Sequence, residues 1–177
     1  MARVRITGGQ WRSRLIQVKD AEGLRPTPDR VRETLFNWLG HDLAGLSCLD
    51  LFAGSGILGF EAASRGADRV TMVERDKGVF RQLRTNAELL LGSAVELVCD
   101  DALQFVSPVA AGYDLLFLDP PYRQGWLERL EPRLAALVNR GGRIYAEAEH
   151  PIEGLGEWRV VKRGQAGQVH FHLLEHP

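Results

Sequence analysis

One tetrapeptide in this chain, Asp119-Pro120-Pro121-Tyr122, combines groups suited to a reaction at a planar amine. The exocyclic amine of a nucleobase is a poor nucleophile because its lone pair is delocalised into the ring. Hydrogen-bond acceptors on its N–H groups can hold the amine so that the lone pair attacks in line. We predict that the Asp119 carboxylate and the Pro120 carbonyl oxygen are these acceptors. Neither proline has an N–H, so no donor competes for them.

Tyr122 completes this predicted catalytic turn with an aromatic ring on which a base can stack, a contact worth about 1–3 kcal/mol. The reaction that these groups favour is transfer of a sulfonium methyl group to the amine. Whether Asp119 also removes the proton is left open by the sequence. The alternative is an ordinary Asp-Pro turn at the end of a strand, with the Tyr122 ring packed in the core.

A glycine-rich loop precedes this turn in the chain. Gly54, Gly56 and Gly59 form the pattern G-x-G-x-x-G between a predicted strand and a predicted helix, where a ligand can approach the main chain closely. Glu74 follows twenty residues after Gly54, and a carboxylate there can accept both hydroxyl protons of a ribose. Loop and carboxylate together predict an adenosine-type cofactor, and they fit NAD and S-adenosylmethionine equally well. A nucleoside triphosphate is disfavoured because the Lys-Ser/Thr of a P-loop is missing.

A third adenosine contact is predicted at Asp101 and Ala102, directly after another predicted strand. An acceptor at this position can take a proton of the adenine amino group. Asp101 is favoured because a helix is predicted to begin at about Ala102, which makes Asp101 a natural N-cap. Capping alone is the competing explanation for this aspartate.

These residues need a scaffold that brings strand ends together. Short apolar runs alternate with helical patterns, which predicts a parallel sheet of βαβ units whose ligands bind at the carboxyl ends of the strands. The predicted strands cover residues 47–52, 70–74, 95–99, 113–118 and 143–148, followed by a hairpin of residues 158–162 and 169–174 around 163–167. The predicted helices cover residues 29–39, 57–65, 77–91 and 126–138, the last ended by residues 139–142. An extended hairpin over residues 3–18 is predicted to turn at Gly8 and Gly9.

The composition bounds what this scaffold can be. The chain has 177 residues, 45% of them apolar and 25% charged, which predicts one globular domain: a basic extension over residues 1–40 and a core over 41–177. The absence of a run of about 18 apolar residues disfavours a membrane span, and no secretory signal is recognisable, so we expect a cytoplasmic protein without a membrane partner.

The net charge of −1 hides an uneven distribution. Residues 1–38 carry eight basic and four acidic side chains, whereas the remaining residues carry 14 basic and 19 acidic ones. A basic segment on an otherwise acidic domain predicts contact with a polyanion.

No metal is predicted. The five histidines and two cysteines form no ligand set at metal spacing, although His170 and His172 share a strand face. Cys48 and Cys99 lie in apolar runs and are predicted to be buried thiols.

Several segments together resemble the RsmD family of bacterial methyltransferases. The resemblance rests on the sequences of residues 5–12, 23–38 and 52–56, on the catalytic turn at 119–122 and on Gly167-Gln168-Val169. Family members use S-adenosylmethionine to methylate N2 of one guanine in 16S ribosomal RNA. The resemblance therefore implies a class I methyltransferase fold: a Rossmann-like, seven-stranded, mostly parallel sheet with an antiparallel C-terminal hairpin.

The resemblance also implies roles for individual residues. The implied cofactor site comprises Asp50, Phe52, Gly54, Gly56, Glu74, Asp101 and Ala102. The implied catalytic residues are Asp119, Pro120, Pro121 and Tyr122. Residues 25–37 are expected to help close the cofactor pocket. The N-terminal hairpin is expected to contact 16S ribosomal RNA within a small-subunit particle through Arg3, Arg5, Arg12 and Arg14, and Arg25 is expected to bind the RNA as well.

Three alternatives differ in testable ways. An NAD-binding oxidoreductase domain would explain the glycine loop but not the catalytic turn. A DNA or other RNA amino-methyltransferase would share the turn, and the basic N-terminal segment favours nucleic acid over protein. A non-catalytic RNA-binding domain with a vestigial pocket is disfavoured by the intact Asp119.

Overall fold

A mostly parallel sheet organises the molecule. The computed structural model describes residues 2–19, 25–107 and 112–177. The main sheet has eight strands in these ranges: β3 (Ser47–Asp50), β4 (Arg69–Val73), β5 (Val95–Val98), β6 (Tyr113–Leu118), β7 (Val138–Ala148), β8 (Gly154–Leu155), β9 (Trp158–Ala166) and β10 (Val169–Glu175). Their order is β5-β4-β3-β6-β7-β10-β9-β8, with β3 to β7 parallel and the last three strands antiparallel.

Helices cover both faces of the sheet. They are α1 (Asp29–Leu39), α2 (Ile57–Ser64), α3 (Lys77–Leu90), α4 (Ala102–Val106), α5 (Trp126–Leu130) and α6 (Leu134–Leu137). Strand β6 is buried along almost its whole length, as expected for an apolar strand covered on both sides. Residues of α1, α2 and α3 pack in one apolar cluster, and those of α4, α5 and α6 pack in the other.

The N-terminal extension forms its own two-stranded sheet against α2 and α3. Strands β1 (Ala2–Arg5) and β2 (Leu15–Val18) are antiparallel, with Arg5 opposite Leu15. The Asn86 side chain of α3 accepts a hydrogen bond from Gln17 N at 3.1 Å and donates one to Gln17 O at 2.8 Å. This pairing aligns β2 along α3.

Buried ion pairs hold the extension in place. Arg32 of α1 is fully buried and donates to Glu61 of α2 at 2.7 Å and to the Arg5 carbonyl oxygen at 2.7 Å. Glu61 also accepts from the Thr7 hydroxyl at 2.7 Å and from Arg65 at 3.2 Å. Arg32 is therefore one basic residue of the N-terminal segment that is withdrawn from the surface and neutralised.

The predicted fold class is confirmed, with differences in detail. The sheet has eight strands rather than seven in the described residues, because the two-residue β8 pairs with β9. The predicted helix over residues 126–138 is broken into α5, a 3-10 turn (Glu131–Arg133) and α6. Pro132 is the cause, since it has no N–H to continue the helical ladder.

Two predicted turns also differ. Residues 139–142 do not end a helix: α6 stops at Leu137, and these residues bulge out of β7 where the pairing moves from Tyr113↔Val138 to Leu115↔Arg143. The C-terminal hairpin turns more tightly than predicted, with β9 extending to Ala166.

Three findings complete the comparison with the sequence. Cys48 is buried as predicted, but Cys99 is exposed because it follows the edge strand β5. Residues 23 and 24 of the family motif lie outside the described residues. Within the described part of the chain, no helix combines the length and apolar character that a membrane span requires.

Candidate active site at the carboxyl edge of the sheet

Parallel pairing brings the predicted site residues to one edge of the sheet. The glycine loop follows β3, Glu74 follows β4, Asp101 follows β5 and the catalytic turn follows β6. These strands are neighbours in the order β5-β4-β3-β6, so the four loops meet at the carboxyl ends of adjacent strands. This is the edge where ligands of open α/β sheets bind.

The glycine loop has a backbone that only glycine tolerates well. Gly54 and Gly56 have φ values of 54° and 86°, and Gly56 is the N-cap of α2. A Cβ atom on Gly56 would lie 2.4 Å from Leu83 Cδ1 and 2.5 Å from Phe60 Cε2. The loop therefore packs closely against α3 while it leads into the positive end of α2.

The Asp50 side chain accepts a hydrogen bond from Gly59, the last glycine of the G-x-G-x-x-G pattern. It is 1% exposed, and its Oδ2 atom accepts a hydrogen bond from Gly59 N at 3.2 Å. Among the residues that the structure describes, its buried Oδ1 atom has no hydrogen-bond partner. Burial and, to a lesser extent, the charge of Asp119 raise the pKa of Asp50 to about 8. Its predicted contact with a cofactor stays a prediction.

Glu74 is oriented by the main chain around it. Its Oε2 atom accepts from Gly54 N and its Oε1 atom accepts from Asp76 N, both at 2.9 Å. A carboxylate has about four lone-pair positions, so acceptor capacity remains for two ribose hydroxyl groups. The half-buried Glu74 is thus tied to the glycine loop with which the sequence paired it.

The other predicted cofactor residues lie on both sides of this pair. Asp101 caps α4, with Oδ1 accepting from Leu103 N at 2.9 Å and from Gln104 N at 3.3 Å. Ala102 is the buried first residue of that helix. Phe52 packs edge-on against Trp126 at 5.2 Å between ring centroids. The capping role of Asp101 is confirmed, and its contact with adenine stays a prediction.

The catalytic turn presents an acid and a ring. Asp119 is half-buried, Pro120 is buried, Pro121 is exposed and the Tyr122 side chain is 40% exposed. Burial raises the pKa of Asp119 to about 6. Burial and the neighbouring charge of Asp119 raise the pKa of Tyr122 as well. The Tyr122 ring is accessible rather than packed in the core, as a stacking role requires.

Two glutamates at the end of β7 support the turn, and sequence reasoning missed both. Glu147 is 3% exposed, forms a hydrogen bond with Asp119 and accepts from the Thr27 hydroxyl at 3.2 Å. Glu149 accepts from Arg123 N at 2.8 Å. Arg123 has φ 64°, a left-handed backbone that is rare outside glycine. Glu149 thus fixes the residue that follows Tyr122.

A signal for Glu147 exists in the sequence. In residues 143–148, Tyr145 and Glu147 share one face of a strand that is otherwise apolar, and a charged group inside such a strand requires a partner. The identity of that partner depends on which strand lies beside β7. It also depends on the register of that pairing, in which Leu118 of β6 lies opposite Ala146 of β7, and the sequence does not give this register.

The five predicted RNA contacts separate into groups. Arg3 and Arg5 line a cavity of about 360 Å³ together with Thr27 and Asp29. Arg14 donates to the Leu89 carbonyl oxygen at 2.9 Å, near the end of α3 that lies away from the carboxyl edge.

The other two predicted RNA contacts, Arg12 and Arg25, are both exposed. Arg12 is exposed in the turn between β1 and β2, two residues before Arg14. Arg25 is exposed and acts electrostatically on Tyr122. All five stay predictions, and Arg3, Arg5 and Arg25 are those on the side of the catalytic turn.

Comparison with known proteins identifies close relatives. A family model described as Conserved hypothetical protein 95 matches residues 4–175. The ribosomal RNA small subunit methyltransferase D of Escherichia coli strain K12 is 41% identical over 97% of this chain and 89% of that protein. The protein of the same name from Haemophilus influenzae is 40% identical over 97% of this chain and 93% of its own length.

Solved structures agree. The Escherichia coli protein yhhF, described as a methyltransferase, superposes with a TM-score of 0.87 at 40% identity, covering 99% of this chain and 98% of that one. A Haemophilus influenzae protein described as a methylase gives a TM-score of 0.83 at 36% identity, with 98% of both chains covered. An RNA methyltransferase from Salinibacter ruber, 19% identical, shares the fold with a TM-score of 0.67 over 86% of this chain and 97% of that one.

The fold and its carboxyl-edge loops are those of a class I methyltransferase, a Rossmann-like α/β enzyme. Within that class, the chain belongs to the family described as Conserved hypothetical protein 95, which is the RsmD family. The resemblance seen in the sequence is thereby confirmed.

Proposed function

We propose that this protein is a cytoplasmic enzyme that transfers the methyl group of S-adenosylmethionine to N2 of a guanine in 16S ribosomal RNA. The observation that carries the proposal is the meeting of the catalytic turn, the glycine loop and Glu74 at adjacent strand ends. Membership of a family that includes the small subunit methyltransferases D supports the ribosomal substrate.

The residues present fit this cofactor. Glu74 is positioned by two main-chain N–H groups and retains lone pairs for ribose hydroxyls. Gly54 and Gly56 expose main chain at the N-terminus of α2, where a carboxylate or the sugar can approach. The bound cofactor supplies an electrophilic methyl group on a sulfonium sulfur. Asp101 is the proposed acceptor for the adenine amino group.

The catalytic turn acts on the other substrate. Asp119 and the Pro120 carbonyl oxygen accept hydrogen bonds from the guanine amine and free its lone pair for in-line attack. Tyr122 stacks on the guanine ring from its exposed position. Asp119 must be ionised to accept from the amine, and its pKa of about 6 leaves it ionised at neutral pH.

The decisive experiment measures transfer of labelled methyl groups from S-adenosylmethionine to naked 16S RNA, to small-subunit particles and to DNA. Nucleoside analysis of each product identifies the methylated atom. We expect N2-methylguanosine in 16S RNA, with the particle as the better substrate. Product on DNA alone, or a methyl group at another atom, contradicts the substrate assignment.

A binding measurement separates the cofactor assignment from the substrate assignment. Calorimetry with S-adenosylmethionine and with NAD is expected to detect only the first. Tight binding of NAD without binding of S-adenosylmethionine contradicts the proposal and favours an oxidoreductase domain.

A further inference from the structure

We propose that Glu147 is a positioning residue of the methyl-transfer site, whose buried carboxyl group holds Asp119 and ties it to Thr27 of the N-terminal segment. This inference rests on the proposed function for its consequence in catalysis. The contact itself is independent of the reaction and can be tested without substrate.

Strand pairing places the two acids side by side. Leu118 of β6 is opposite Ala146 of β7 in the parallel register, so the next residues, Asp119 and Glu147, are neighbours at the strand ends. The Glu147 side chain is almost fully buried, and one of its oxygens accepts from the Thr27 hydroxyl at 3.2 Å. A carboxyl group so enclosed requires partners for its polar atoms.

Electrostatics determines which of the two acids keeps the proton. Burial and the charge of Asp119 raise the pKa of Glu147 well above its ordinary value, whereas Asp119 titrates at about 6. At neutral pH the protonated Glu147 donates to the ionised Asp119 and still accepts from Thr27. One lone pair of Asp119 is thereby engaged, which fixes the orientation of the others toward the amine.

Among the described residues, the titratable groups that interact with the pair are acids and tyrosines. They are Asp50, Tyr122 and Tyr145, while Glu149 and Arg25 act on Tyr122. Tyr145 lies on the same face of β7 as Glu147, and its hydroxyl group interacts with Glu147. Glu147 is therefore the group that restrains Asp119 from the β7 side.

Thr27 extends this contact into the N-terminal segment. Its carbonyl oxygen accepts from Arg32 Nε at 3.0 Å, and Arg32 also donates to the carbonyl oxygen of Arg5 in β1. Thr27 is itself 4% exposed. The acid that orients Asp119 is thus attached, through Thr27, to the segment that carries the predicted RNA contacts.

Three variants test the role of Glu147. Glu147→Gln keeps an N–H donor for Asp119 and a carbonyl acceptor for Thr27, so we expect kcat within about threefold of wild type. Glu147→Leu has a similar volume, admits no water and loses both hydrogen bonds, so kcat is expected to fall about 10- to 100-fold. Glu157→Gln, an exposed acid remote from the pair, is the matched control and is expected to leave kcat unchanged.

The pH profile distinguishes positioning from a general loss of structure. The hydrogen bond from Glu147 lowers the pKa of Asp119, so its removal in Glu147→Leu should move the acidic limb of kcat above pH 6. Glu147→Gln should leave the limb in place. A uniform loss of activity in Glu147→Leu at every pH, with an unmoved limb, overturns the proposal.

A measurement without substrate keeps this test separate from the proposed function. The Asp119 side-chain carbon is followed by ¹³C NMR during a pH titration and assigned by its disappearance in Asp119→Asn. We expect a midpoint near 6 in wild type and in Glu147→Gln, and a higher midpoint in Glu147→Leu. Equal midpoints in all three overturn the proposal even if methyl transfer is observed. A shifted midpoint without methyl transfer to RNA upholds the contact and contradicts the proposed function instead.

Discussion

Asp119 combines partial burial with a role that requires its charge. Asp119→Ala removes the acceptor for the amine, so we expect methyl transfer to fall by about a hundredfold or more. Affinity for S-adenosylmethionine should change little, because the predicted cofactor contacts lie on other loops. Calorimetry and labelled-methyl transfer measure the two effects. Unchanged turnover in Asp119→Ala contradicts the role.

The pKa of Asp119 also predicts the pH dependence of the wild-type enzyme. Its value of about 6 lies above the ordinary 3.8, so the carboxylate form required for accepting from the amine is lost as pH falls through 6. Activity should therefore rise from pH 5 to pH 7 and then level off. A profile that is flat across this range is the contrary result.

Tyr122 allows the stacking role to be separated from its hydroxyl group. Tyr122→Phe keeps the ring and is expected to retain wild-type kcat/KM. Tyr122→Ala is expected to lower it by a factor equivalent to about 1–3 kcal/mol. Steady-state kinetics on the RNA substrate tests the pair. A Tyr122→Phe variant as impaired as Tyr122→Ala would show that the hydroxyl group, not the ring, matters.

The sequence predicted those site residues that belong to local motifs and missed those that depend on strand neighbours. The catalytic turn and the glycine loop are continuous in the chain, so their residue types and spacing carry the information. Glu147 and Glu149 act through contacts with Asp119 and Arg123, about 26–28 residues away in the chain. These contacts depend on the placement of β7 beside β6, which is set by packing of the whole sheet.

The same distinction holds for helices and strands. Strand β6 and helix α1 have the predicted ends because apolar runs and Pro28 define them locally. The prediction of one helix over residues 126–138 did not take account of Pro132, whose missing N–H interrupts the series of helical hydrogen bonds. The bulge at residues 139–142 is set by pairing between β6 and β7, which no local pattern encodes.

The junction between β3 and α2 provides a test of close packing in the glycine loop. Gly56 and Gly45 have nearly the same φ, 86° and 85°. A Cβ atom at Gly56 would meet Leu83 and Phe60, whereas one at Gly45 would meet no atom of the described residues within 4 Å. Gly45→Ala should therefore cost only the left-handed strain of about 1–2 kcal/mol. Gly56→Ala should destabilise further and weaken cofactor binding.

Urea unfolding and calorimetry of these two variants measure the two effects. Gly45→Ala should bind S-adenosylmethionine as wild type does, since it lies at the opposite end of β3 from the glycine loop. Equal losses of stability in both variants would show that the backbone conformation alone, and not packing against α3, demands glycine at position 56.

At the scale of the whole molecule, carboxyl groups are buried at the carboxyl edge of the sheet, so the free energy of unfolding should depend on pH. Asp50 has a folded-state pKa of about 8 against 3.8 when unfolded, so the native state binds more protons than the unfolded state between these values. Stability therefore falls as pH rises through this window. Asp50→Asn lacks this pH dependence. The free energy of unfolding of the variant relative to wild type should therefore increase from pH 5 to pH 8 by a few kcal/mol, at about 1.4 kcal/mol per pKa unit.

Thermal unfolding of wild type and Asp50→Asn at pH 5 and at pH 8 measures this difference in stability. Asp119 and Glu147 contribute slopes of the same sign in both proteins, because burial raises their pKa values too. The difference between the two proteins therefore isolates Asp50. A difference that does not change with pH would mean that Asp50 titrates at its ordinary value.

The distribution of charge over the whole molecule leads to a directional prediction for RNA binding. The N-terminal hairpin lies along α2 and α3, with Arg3 and Arg5 beside Thr27 and the cavity near the catalytic turn. Arg12 and Arg14 lie at its other end, where Arg14 already donates to the Leu89 carbonyl oxygen. A guanine at the catalytic turn brings its flanking phosphates closer to the first pair.

We therefore expect the double variant Arg3→Ala and Arg5→Ala to weaken RNA binding more than the double variant Arg12→Ala and Arg14→Ala. Each lost phosphate contact should reduce the slope of log K against log salt by about 0.7–0.9, so the first pair should lower it by roughly 1.5. Filter binding of 16S RNA across a salt series measures both quantities. A larger loss in the Arg12→Ala and Arg14→Ala variant would contradict this prediction. It would show that RNA binds the hairpin mainly near its turn, far from the target nucleotide.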